Sequence, residues 1–166
     1  NQGIGAADYI ADNGLATKIA IIYDNSDVYS TGIMDKFTAE AAVKGLEIVA
    51  SESFNADNKT DFSVQLAAAK DAGAELIFLP IYYSEASLIL AQAASMEYAP
   101  MFFGCDGLDG LLTVKGFNTE LAEGVMLLTP FAADATDDLT VKFVASYQEK
   151  YNEVPNQFAA DGYDAV

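Results

Sequence analysis

The chain has 166 residues, 52% of them hydrophobic, and carries eight Lys against 25 acids for a formal charge of −17. That length is enough for one domain with a substantial core, and no apolar run approaches the ~18 residues of a membrane span. The charge balance repels nucleic acid and anionic membrane, whose recognition needs clustered cations.

The first expected element is a helix from Gly3 to Gly14, amphipathic through Ile4, Ala7, Tyr9 and Ile10. A β-branched strand, Lys18 to Tyr23, follows and suits burial on both faces. The spacing of Ile33, Phe37, Ala41 and Ala42 predicts a helix from Ser30 to Lys44. A second strand spans Leu46 to Ser51, and after the polar loop NADNKTD a helix runs from Phe62 to Ala72. The third strand is Glu75 to Ile81, followed by a helix from Ser84 to Met96 with Ser84 as its N-cap. Pro100 to Gly104 makes a fourth strand, Gly107 to Val114 a short helix, and Val125 to Thr129 a fifth strand stopped by Pro130. A helix over Asp137 to Tyr151 and the start of another at Asp161 to Val166 complete the chain.

Strand starts recur at the spacing of strand-crossover-strand units. The pattern predicts an α/β fold: a doubly wound, Rossmann-like, five-stranded parallel sheet in the order 2-1-3-4-5, with helices on both faces. In such a sheet the strand C-terminal ends share one edge, and ligands bind in the crevice outside it. Tyr29 follows the first strand, Tyr82 and Tyr83 the third, and Asp106 the fourth. Because Tyr82 and Tyr83 are adjacent, an extended backbone points them to opposite sides, so one of them faces that mouth. Rings and a carboxylate gathered there suit a small ligand with an apolar part and a positive charge. Each residue also has a plainer reading: Asp106 before Gly107 is a common turn signal, repeated by Asp109 and Gly110, and a tyrosine after a strand often just covers the core.

All eight basic residues are Lys, and the chain has neither Arg nor His. It therefore lacks the bidentate fork for a carboxylate or phosphate, and the commonest general base and metal ligand. Its single cysteine, Cys105, forms no internal disulfide or zinc cluster and reads as a small core residue. No nucleophile-base pair is visible, so neither an enzyme nor a cofactor is expected. The segment NSDVYSTG has hydroxyls near a helix start, as a phosphate-binding turn does, but not the glycine spacing or lysine of a nucleotide loop. A response regulator is disfavoured, since the third strand runs into Pro80, Ile81 and Tyr82 rather than an acceptor aspartate.

Several segments in order resemble one lobe of the type I periplasmic solute-binding proteins, specifically the branched-chain amino-acid (Leu/Ile/Val) binding family of ABC importers. They are NQGIGAADYIADN, KIAIIYDNSDVYSTG, FNADNKTDFSVQLAAAKDAGAELIFLPIYYSEASLILAQA, PMFFGCDG, AEGVMLLTPF and VPNQFAADGYDAV. The resemblance implies that residues 1–166 form a single α/β lobe, the second of two, with the first lobe absent. It implies an amino acid bound between lobes, with Tyr29, Tyr82 and Asp106 as ligand-binding residues and Asp106 pairing with the ligand ammonium. Asp106 stands where the family often has the longer glutamate, and Ser30 where a glycine is common. The implied partners are the amino acid, a membrane ABC permease and the missing lobe. The implied location is outside the cytoplasm, periplasmic or lipid-anchored on the outer face of the membrane. Because the chain begins with Asn1 rather than Met, it is expected to be a processed or excised piece. The isolated lobe is expected to fold, to bind weakly, and to self-associate through its cleft edge. A ligand-sensing receptor domain of the same fold and a flavodoxin-like electron carrier are the alternative readings.

Overall fold

The computed structural model describes residues 2–165. The chain packs as two compact units, Asn1–Leu128 and Thr129–Val166.

The first unit is built on five strands: β1 (Lys18–Asp24), β2 (Glu47–Phe54), β3 (Leu76–Leu79), β4 (Met101–Gly104) and β5 (Met126–Leu127). All pairs are parallel and the order is β2-β1-β3-β4-β5, the topology expected from the strand spacing. The strands at the middle of this order are the most apolar. Every residue of β3 and four of the seven in β1 are buried, whereas β2 at the edge is mostly half-buried.

Alternation along the central strands feeds two cores, one on each face. On one face Ile19, Ile21, Leu76, Phe78 and Phe103 pack against α1 (Gln2–Asp12) and α2 (Val28–Lys44), where Phe37 stacks on Phe78 at 4.0 Å. On the other, Ala20, Ile22, Ile77, Leu79 and Phe102 meet Leu66 of α3 (Ser63–Asp71) and Ile89 and Leu90 of α4 (Tyr83–Ser95). Helices thus cover both faces. The apolar area removed from water, at roughly 25 cal/mol per Å², is the main favourable term for such a layered domain.

The departures from the expected elements are local. Strand β2 runs on to Phe54 rather than stopping at Ser51, because Glu52, Ser53 and Phe54 pair with Ile22, Tyr23 and Asp24. An edge strand tolerates polar side chains that no apolar pattern announces. Helix α2 starts at Val28, two residues before Ser30, because the Asp27 carboxylate accepts the Tyr29 N–H at 3.2 Å. Pairing of β3 ends at Leu79, just before Pro80, which has no N–H to donate. Tyr82 then takes the cap position of α4 in extended conformation, and Ser84 lies inside the first turn rather than at the N-cap.

The segment expected as a helix from Gly107 to Val114 is two 3-10 turns, Asp106–Leu108 and Leu111–Thr113. They are divided by Asp109, whose extended backbone ends the first. A further 3-10 turn, Thr119–Ala122, precedes β5, which is two residues long instead of five.

The second unit holds α5 (Asp138–Tyr151) and α6 (Gln157–Asp164). Their starts are capped by the side chains of Asp137 and Asn156, which accept from Thr140 N and Ala159 N, both at 3.0 Å. The Asn156 cap starts α6 four residues ahead of the expected Asp161; Val166, the expected end of that helix, lies outside the described residues. Phe143 gathers the rings of Phe131, Tyr147 and Tyr163 around it.

Candidate functional site

Three connections leave the C-terminal edge of the sheet carrying the residues singled out in sequence: β1 to α2, β3 to α4, and the turn after β4. The fold brings Tyr29, Tyr82 and Asp106 together there. The Tyr29 Oη donates to Asp106 Oδ1 at 2.6 Å and accepts from the Gly107 N–H at 2.9 Å. Its ring stacks on that of Tyr82, with centroids 4.9 Å apart and planes 23° from parallel. Tyr82 remains 42% exposed, so its ring is open to an apolar group. Tyr83, next along the chain, packs against the core on the α3–α4 face, so the adjacent pair diverges.

The local sequence explains the placement of Tyr29. Asp27 caps α2 and sets Tyr29 in its first turn rather than in a free loop. The fully buried Ser30 turns its Oγ inward to accept the Asp24 N–H at 2.9 Å, holding strand end and helix start together. Asp24 Oδ1 accepts from both the N–H and the hydroxyl of Ser26, at 2.8 and 2.6 Å. These donors are satisfied inside the turn, and the carboxylates of Asp24 and Asp27 flank the helix start. The segment is an acid-lined turn, not a phosphate cradle.

Electrostatics follow from this packing. Burial, and then the hydrogen bond to Asp106, hold the Tyr29 phenol far above its ordinary 10.0, so it remains a donor to the carboxylate. Tyr82 is also raised, first by burial and then by the charges of Asp27 and Asp106. The Cys105 thiol, buried beside the site, is pushed up to about 12 by burial and then by the Asp106 charge, so it is an unreactive core group. A carboxylate has about four acceptor positions, and the bond from Tyr29 takes one of them at Asp106. Negative charge and π faces at one edge can receive an ammonium beside an apolar group.

Two residues of this arrangement were not anticipated. Gly107 was read only as a turn residue, yet a Cβ there would lie 2.5 Å from Ile81 O and 2.7 Å from Tyr29 Oη, so only glycine permits the close approach. Gln2 accepts the Asp106 N–H on its Oε1 at 2.9 Å. No local signal announces it, because the partners are 104 residues apart. Among the described residues, no cluster of three or more Cys, Asp or Glu side chains is placed to hold a metal ion. No described helix is long and apolar enough to cross a membrane.

Comparison with known proteins places the chain in a family. The family model described as periplasmic binding protein matches residues 1–166. The Leu/Ile/Val-binding protein homolog 1 of Brucella abortus is 29% identical over 99% of the chain, which covers 43% of that protein. Among solved structures, a leucine binding protein LivK from Thermotoga maritima superposes with a TM-score of 0.86 at 29% identity, over 99% of this chain and 46% of that one. The branched-chain amino acid transporter substrate binding protein LivJ from Streptococcus pneumoniae, solved with isoleucine, gives 0.81 at 28% identity over 99% and 46%. The chain spans less than half the length of the curated relatives it matches. By sequence along its whole length, and by the order and direction of its strands, the chain belongs to the type I periplasmic binding protein family, among relatives named for leucine, isoleucine and valine binding.

Proposed function

We propose that this chain is the second lobe of a two-lobe solute-binding protein outside the cytoplasm, which captures an apolar amino acid and delivers it to an ABC permease. The observation that carries the reading is the cluster of Tyr29, Tyr82 and Asp106 at the C-terminal sheet edge of a chain matching binding proteins for leucine, isoleucine and valine. In this role Asp106 receives the ligand ammonium, oriented by the Tyr29 hydroxyl, and the exposed Tyr82 ring lies against the apolar side chain. The ligand carboxylate is left to the other lobe, since this chain has no Arg or His to grip it. Half of the contacts belong to this lobe, and closure of two lobes supplies the rest of the affinity and excludes water. Val28, Tyr82 and Leu112 are large, exposed side chains on segments that follow strands, as suits a surface that meets another lobe.

Titration of the chain with L-leucine, L-isoleucine and L-valine, followed by amide NMR, tests this. The expected result is a dissociation constant of about a millimolar or weaker, roughly 4 kcal/mol or less, with shifts centred on Tyr82 and Asp106. Micromolar binding by the monomer removes the half-site reading, and shifts confined to other residues remove the site. In the full-length protein, Asp106→Asn should weaken binding at least a hundredfold, on the order of 2.7 kcal/mol, because a buried ammonium would lose its counter-charge.

A further inference from the structure

We propose that Gln2 is a positioning residue for the acid of this site, a role that rests on the functional reading above. Its Oε1 accepts the Asp106 N–H at 2.9 Å, and the next N–H along, that of Gly107, donates to Tyr29 Oη at 2.9 Å. The same phenol donates to Asp106 Oδ1 at 2.6 Å. These two N–H groups open the 3-10 turn Asp106–Leu108, where a helical start leaves its donors without backbone partners. Successive unclosed N–H groups attract anions, and an aspartate at a turn readily folds back onto nearby backbone donors. With one N–H closed from α1 and the other from α2, both donors have side-chain acceptors, and neither is left open to an anion.

The two closing side chains also come from helices packed closely on each other. Gly3, next to Gln2, lets α1 approach α2 so closely that a Cβ there would sit 2.8 Å from Phe37 N. Ala6, Ala7 and Ile10 of α1 and Phe37 and Ala41 of α2 are buried in the same core. Gln2 and Tyr29 therefore hold the turn after β4 against a single two-helix support, and the acid is set before a ligand arrives. Pre-set geometry of this kind raises affinity by removing the ordering cost at binding.

Gln2→Met keeps the side-chain length without the carbonyl acceptor, and Gln2→Glu keeps an acceptor oxygen. Amide hydrogen exchange and the Asp106 side-chain coupling constants, read by NMR on the full chain without ligand, decide the role. In Gln2→Met the Asp106 amide should exchange at least tenfold faster, and its side-chain couplings should average between rotamers. The Ile21 amide in β1 should keep its protection, and Gln2→Glu should restore that of Asp106. Unchanged exchange at Asp106 in Gln2→Met overturns the proposal, as does faster exchange with unaltered Asp106 couplings. L-leucine titration forms a separate arm. A several-fold loss of affinity in Gln2→Met supports the positioning role. Absence of any leucine-induced shift in the unsubstituted chain instead counts against the functional reading, while exchange and couplings still decide what Gln2 does.

Discussion

The two compact units of this chain bury their apolar residues very differently. In Asn1–Leu128 the sheet is covered on both faces, and Phe37, Phe62, Phe78 and Phe103 are fully buried, with Ile and Leu packed among them. In Thr129–Val166 Phe143 is buried, but Leu139, Val141, Tyr151, Val154, Phe158 and Tyr163 are all exposed. The first unit carries the acid-tyrosine cluster, whose members hang from strand ends fixed by a close-packed interior. Precise placement of a carboxylate within hydrogen-bond range needs such a support, because side chains held by packing have little freedom to drift. The lesson of the contrast is that a cluster set to hydrogen-bond accuracy belongs with the unit whose interior is the more densely packed.

The strongest way to break the comparison is to delete a ring from each unit. Phe78→Ala should cost about 3–5 kcal/mol, the usual range for emptying an aromatic site in a close-packed core. Phe143→Ala should stay within the ~0.5–3 kcal/mol of ordinary point changes and leave the first unit intact. Urea midpoints, read together with amide exchange at Ile21, check both. Equal loss of Ile21 protection in the two variants would show that the units do not differ as described.

A smaller effect is expected at the site itself. Gly107→Ala places a methyl against Ile81 O and the Tyr29 hydroxyl, so the turn after β4 must shift. Overpacking of this kind costs about 2 kcal/mol. It should also part Tyr29 from Asp106, visible as a changed Tyr29 hydroxyl or ring resonance. A variant with the same midpoint and the same Tyr29 signals would mean that the approach is not tight.

The smallest effect, and the one that sharpens the electrostatic picture, belongs to Tyr29→Phe. Removing the hydroxyl leaves the Gly107 N–H without its partner and takes one donor from Asp106, for about 1 kcal/mol near neutral pH. Folding raises the phenol above its ordinary 10.0, so its contribution is fully present below that value and declines as pH climbs beyond it. Cys105 acts with the same sign, from an ordinary 9.0 to about 12. Wild-type stability should therefore fall above about pH 9, and the gap between wild type and Tyr29→Phe should narrow above about pH 10. Urea midpoints across that range test it; a gap that widens with pH would reverse the assigned direction.

What the sequence by itself determined is the periodic part of this molecule. Apolar runs such as IAIIY and LIFL, recurring at strand-crossover-strand intervals, dictate five parallel strands, their order, and the edge on which Tyr29, Tyr82 and Asp106 fall. Burial on two faces leaves a repeating mark in composition, so it can be read locally. The tertiary structure alone decided the contacts that join the edge residues into one cluster. The extension of β2 to Phe54 depends on pairing with β1, and the start of α2 at Val28 on the reach of the Asp27 carboxylate. The stacking of Tyr29 on Tyr82, the bond from Tyr29 to Asp106 and the bond from Asp106 to Gln2 join residues 53, 77 and 104 positions apart. A hydrogen bond or ring contact is specified by positions in space to within a few tenths of an ångström. No pattern of neighbours along the chain carries that information until the sheet has brought its strand ends together.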